Sequence, residues 1–241
     1  MSLNNTNEWV EHLAELRRRV ITVLVVFFAA AVAAFVLSSY IAAFLTAPLD
    51  VFQVKLYTFA PAEKFMAYMR LSAWTGAVFT APFFCLQAGL FLWPGLRGNE
   101  HRYAFAFLFI VPILFLLGAG LCYRFMAPVV FGFFLSFGAG DGVESLWSLR
   151  EYLSLLFGLM IAAGLLLQLP LGLLALIVSG IVSAEQAARS RPHAIFLIFL
   201  SAALLTPPDV VSQVMLAVPL YLLFEGALGL GRIIRRGKRG K

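Results

Sequence analysis

Long charge-free stretches decide most of what this chain can become. Val20 to Phe44 and Tyr152 to Ile181 hold no Asp, Glu, Lys or Arg. A helix crosses roughly 30 Å of hydrocarbon with about 20 apolar residues, so each stretch is long enough to span a membrane. The excess is general: 62% of the 241 residues are hydrophobic and 12% are charged. A soluble domain is nearer half apolar and a quarter charged. The surplus must face lipid, which excludes a cytosolic enzyme; a disordered tail would need the opposite composition. A membrane β-barrel would show short alternating strands in place of long apolar runs. The expected fold class is an all-α membrane protein with six transmembrane helices, several of them kinked by proline.

The expected layout is one membrane domain over residues 1–241. Residues 1–19 form a cytoplasmic amphipathic helix, with Trp9, Leu13, Leu16 and Val20 on one face. Three acids among its first fifteen residues argue for a retained span and against a cleaved signal peptide. Span one covers Val20 to Phe44, and Pro48 breaks its pattern. Span two covers Phe65 to Trp93 with Pro82 inside, and span three Tyr103 to Met126 with Pro112 inside. Long loops are expected over 46–66 and 127–151. Span four covers Tyr152 to Ile181, and Ser183 is placed to cap a helix in the turn that follows. Span five, His193 to Leu205, is short, rising only about 20 Å. Span six, Val210 to Ile234, follows four residues later, so the two must form a tight antiparallel hairpin. A basic tail covers 232–241.

Lys and Arg set the orientation. With six spans both termini share a side, and that side holds thirteen of the 18 basic residues. Both termini are therefore expected in the cytoplasm. The net charge of +6 then reflects topology, and no nucleic-acid partner is implied. Cys85 and Cys122 lie inside apolar runs with no metal-ligand spacing, so neither a metal nor a cofactor is expected.

The polar groups that need a reason are few. Glu15 can pair with Arg18 or Arg19 along its own helix, or can receive a cation from a partner. Glu100 sits on the first cytoplasmic turn. Two carboxylates on one face could hold two guanidinium groups through paired, charge-assisted hydrogen bonds. Gln87, Gln168 and Gln213 can join helices by hydrogen bonding. Asp209 can cap span six, and Glu225 can snorkel or pair with Arg232. A small-solute secondary transporter coupled to protons or ions is the alternative function, but it would be expected to show charges at mid-span.

Taken in order, several motifs resemble the TatC family of the twin-arginine translocase. They are His12-Leu13-Ala14-Glu15-Leu16-Arg17-Arg18-Arg19, Ala47-Pro48-Leu49, the Pro61-x-Glu63-x-Phe65 element, and Gln87, Phe91, Pro94, Leu96 and Glu100. Tyr123 and Pro128, Arg191-Pro192, Thr206-Pro207-Pro208-Asp209 and Ser212-Gln213 with Pro219 and Glu225 continue the match. The resemblance implies a receptor in the bacterial inner membrane that binds twin-arginine signal peptides at the cytoplasmic face. With TatA and TatB subunits and further TatC copies it would export folded proteins on the proton-motive force. Glu15 and Glu100 would accept the two arginines, and His12, Leu16, Arg17, Phe91 and Pro94 would shape that site. Pro48, Gln87, Gln168, Thr206, Asp209, Gln213 and Glu225 would be structural or partner-helix positions. The basic tail would meet anionic lipid. Many family members carry glutamate where this chain has Gln168, so a mechanism needing a protonatable group there is not expected of this protein.

Overall fold

The computed structural model describes residues 3–92, 100–137, 146–205 and 210–239, with the side chains of 3–9, 11, 92, 100–104, 211–212 and 235–239 left aside. It divides into two compact units, residues 1–45 with 60–113, and residues 46–59 with 114–241. Five helical stretches among the described residues are long and apolar enough to cross a membrane: His12–Val36, Glu63–Phe91, Phe105–Phe137, Leu149–Ser179 and Gln213–Ile234. A shorter apolar helix covers Arg191–Leu205.

In the first unit, α1 (Leu3–Val36) packs along α3 (Glu63–Leu92). The expected amphipathic segment runs without a break into the first span as far as Val36, because nothing between Trp9 and Val36 stops the helix. The stop comes at Leu37, and α2 (Ser38–Asp50) begins at once. Pro48 does not end the helix where the sequence suggested. It sits in the last turn of α2, where its fixed φ is already helical. Small residues set the α1–α3 spacing. A Cβ on Gly76 would lie 2.9 Å from the Cα and N of Ala31, so the two backbones meet where glycine leaves room. Ala34, Ala67 and Leu71 are buried, as are the hydroxyl residues Ser72 and Thr80. Ser72 returns its hydroxyl to the Tyr68 carbonyl at 2.7 Å. Glu63 anchors the start of α3, its carboxylate accepting from the Ala60 amide at 3.2 Å while its own amide donates to the Ala60 carbonyl at 3.0 Å. Pro82 lies within a helix that runs on to Leu92.

α4 (Glu100–Leu121) opens the third long stretch, and Pro112 lies inside it. One π turn, Cys122–Met126, then leads into α5 (Ala127–Phe137). The helix thus outruns the expected end at Met126 by eleven residues. Proline lacks an amide and its ring crowds the carbonyl four residues back, and the wider π turn just before Pro128 relieves that conflict.

The second unit also holds a feature that the sequence did not suggest. The two expected long loops pair through β1 (Leu56–Tyr57) and β2 (Trp147–Ser148), a parallel ladder with Leu56 beside Trp147. The chain reaches β1 through Gln53, held at φ 54°. Phe131 is fully buried between Trp147 and Tyr152, with ring centroids 5.7 and 4.7 Å away. Ser148 caps α6 (Leu149–Leu166), accepting from the amides of Arg150 and Glu151.

The expected fourth span is two helices. α6 ends and α7 (Gln168–Ser179) begins on either side of Leu167. Pro170 thereby falls in the first turn of α7, where a missing amide costs nothing. Gly180, at φ 88°, ends α7 in the left-handed conformation. α8 (Ala184–Arg189) starts with the expected Ser183 cap, completed into a reciprocal pair by Gln186. α9 (Arg191–Leu205) and α10 (Val210–Arg239) pack together, and the basic tail continues α10 as helix. The core gathers Cys122, Met126, Val130, Ala163, Leu167 and Leu220, with a second cluster around Ile177, Phe224 and Leu228. A Cβ on Gly118 would lie 2.9 Å from the Ala163 carbonyl oxygen, another point where backbones approach closely.

Candidate functional site

One face of α1 brings His12, Glu15, Leu16 and Arg19 together at spacings of three and four. The end of α3 presents Gln87, Leu90 and Phe91 to them. Arg19 is the hub. Its Nε donates to Glu15 Oε1 at 3.0 Å, its Nη2 donates to the same oxygen, and its Nη1 donates to Gln87 Oε1 at 3.1 Å. Nη2 also reaches the Leu90 carbonyl at 3.4 Å. His12 stacks on Phe91, with ring centroids 4.2 Å apart and an interplanar angle of 17°. Its Nδ1 lies 4.0 Å from Glu15 Oε2. Beside this cluster runs an apolar groove of about 400 Å³, lined by Leu16, Val20, Leu24, Phe84 and Phe91 with Gln87 and Arg19 at its polar end.

The Glu15–Arg19 pair is half-exposed, with side-chain exposures of 38% and 21%. A pair at this spacing contributes only about 0.3–0.5 kcal/mol. It therefore does little for stability. What it defines is chemistry: a carboxylate and two carbonyls, all acceptors, converging on one planar guanidinium.

Of the expected arginine-site residues, Glu15, His12, Leu16 and Phe91 are brought together. Arg17 is exposed, as is Arg18. Pro94 and the side chain of Glu100 lie outside the described residues, and so do Thr206 and Asp209. Gln87, expected among the structural and partner-helix positions, joins α3 to α1 by accepting from Arg19 in the Glu15 cluster. Arg19 was readable as a partner for Glu15 through its spacing, but its reach to Gln87 across 68 residues of sequence was not.

The other expected polar positions fall in the second unit. Gln213 Nε2 donates to the Phe199 carbonyl at 3.0 Å and so ties α10 to α9 as an antiparallel hairpin. Gln168 is half-buried at the first position of α7. Glu225 does not take Arg232 as its hydrogen-bonded partner. Arg191, at the start of α9, donates to both its oxygens at 2.7 and 2.8 Å, and the Tyr221 hydroxyl donates to it at 3.3 Å. The planar fork of Arg191 matches a carboxylate at two points, whereas Arg232 lies farther along the helix of Glu225. No group of three or more potential metal ligands occurs among the described residues.

Long lipid-length helices, tied at their ends by charged and amide clusters, define a polytopic α-helical membrane protein. Residues 11–219 match the model of the family "Sec-independent protein translocase protein (TatC)". The chain belongs to the TatC family. The TatC of Magnetococcus marinus is 40% identical over 230 residues, covering 94% of this chain and 84% of that protein. The TatC of Rickettsia prowazekii is 34% identical over 226 residues, covering 90% of each. A crystal structure titled as the twin-arginine translocase receptor TatC superposes with a TM-score of 0.72 at 31% identity, over 93% of this chain and 99% of that one. The protein is thus a membrane component of the Sec-independent translocase, and the small-solute transporter reading finds no support.

Proposed function

We propose that this protein receives twin-arginine signal peptides at the cytoplasmic face and nucleates the complex that exports folded proteins on the proton-motive force. The observation that carries this reading is the guanidinium-binding arrangement of Glu15 and Gln87 beside an apolar groove. A signal peptide offers the same pairing of features, arginines followed by an apolar stretch. Glu15 takes one guanidinium and Glu100 the other. His12, Leu16, Arg17, Phe91 and Pro94 shape the site. Both termini lie in the cytoplasm. Single-span TatA and TatB subunits and further TatC copies complete the assembly. Pro48, Gln87, Gln168, Thr206, Asp209, Gln213 and Glu225 serve as partner-helix or structural positions.

The test is crosslinking of a twin-arginine signal peptide to the protein in membranes, comparing wild type with Glu15→Ala and Glu100→Ala. A matched Lys-Lys peptide is the control, because two point charges lack the bidentate fork of arginine. Labelling should drop with either substitution and with Lys-Lys. Labelling indifferent to all three changes would refute the receptor reading.

A further inference from the structure

The cradle between α1 and the end of α3 is already full. Glu15 Oε1, Gln87 Oε1 and the Leu90 carbonyl all accept from a single side chain, Arg19. Of the three consecutive arginines, only Arg19 turns toward α3, with 21% of its side chain exposed, while Arg17 and Arg18 face outward. The three converging oxygens are all acceptors, and their arrangement fits a planar cation with several N–H groups.

We propose that Arg19 is an internal stand-in for the peptide's guanidinium, and that a peptide arginine binds by displacing Arg19 from the cradle of Glu15, Gln87 and the Leu90 carbonyl. The inference rests on the receptor reading above. Exchange of one guanidinium for another conserves the hydrogen bonds, so neither Glu15 nor Gln87 is left without a partner during binding. Arg19 has a long flexible stem and can swing out to the aqueous interface once released.

The consequence is quantitative. Affinity for any peptide falls by the fraction of time that the cradle is open. The factor is the same for an arginine and a lysine peptide, so Arg19 leaves their ratio unchanged. It raises the threshold that every ligand must pass, and weak binders then fall below useful occupancy.

The experiment measures binding of a fluorescent twin-arginine peptide to the full-length protein in lipid nanodiscs by anisotropy. Arg19→Met removes the internal guanidinium and should tighten binding by roughly three- to tenfold. Arg19→Lys keeps the charge but loses the fork, and should tighten it by less. Glu15→Gln should weaken binding in both the wild-type and the Arg19→Met background. If Glu15→Gln weakens binding while Arg19→Met leaves it unchanged or weaker, the stand-in proposal is overturned and the receptor reading stands. If Glu15→Gln has no effect in either background, the receptor reading falls and takes the proposal with it. Should Arg19→Met fail to fold, Arg19→Lys decides: tightening supports the exchange, and unchanged or weaker binding overturns it.

Discussion

Gly76→Ala tests whether backbone approach sets the geometry that presents Glu15 to Gln87. The added Cβ would meet the Cα and N of Ala31 at 2.9 Å and its Cβ at 3.0 Å. Two of these are backbone atoms, which cannot swing aside, so α1 and α3 must part by several tenths of an ångström. Overpacking of this kind costs about 1–3 kcal/mol. Replacing a helical glycine by alanine also returns about 1 kcal/mol of helix propensity. Gly158→Ala isolates that second contribution, because a Cβ there meets nothing within 4 Å. The propensity gain cancels between the two variants, and the clash remains. Gly76→Ala should therefore be less stable than Gly158→Ala by about 1–3 kcal/mol. Reversible unfolding in mixed detergent micelles, followed by far-ultraviolet circular dichroism, measures both. Equal stabilities, or a more stable Gly76→Ala, would refute the close approach. The parting helices should also lengthen the 3.1 Å bond between Arg19 and Gln87, so peptide affinity should change in Gly76→Ala and hold in Gly158→Ala.

Two further outcomes follow from the second unit. Ser183→Ala removes the hydroxyl that accepts from the Gln186 amide and should destabilise the start of α8 by about 1 kcal/mol; faster amide exchange confined to 184–187 would show it, and unchanged exchange would count against the cap. Arg191→Met and Glu225→Met should each lower the midpoint of thermal unfolding only slightly, because the paired side chains are 40% and 31% exposed, and the double variant should lose no more than either single change, because both remove the same two-point contact. Additive losses in the double variant would mean that the two groups do not act as a pair.

Composition and hydropathy alone made the all-helical membrane class legible, and with it which polar residues required explanation. Those properties follow from composition and from the length that a bilayer demands. They also made Ser183 legible as a cap and Glu15 legible as a carboxylate with a basic residue one turn on, since both depend only on neighbours within a helix. Tertiary structure alone decided the rest. The parallel pairing of Leu56 with Trp147 joins segments about ninety residues apart, and no local pattern in either loop encodes the other. Glu225 is hydrogen-bonded by Arg191, 34 residues away, because helix packing sets distance in space, not along the chain. The same holds for the cradle. Gln87 belongs with Glu15 because Gly76 and Ala31 let α3 lie close along α1. The π turn before Pro128 likewise depends on which backbone groups can shift to absorb a missing amide, a matter that residue identity raises and packing resolves.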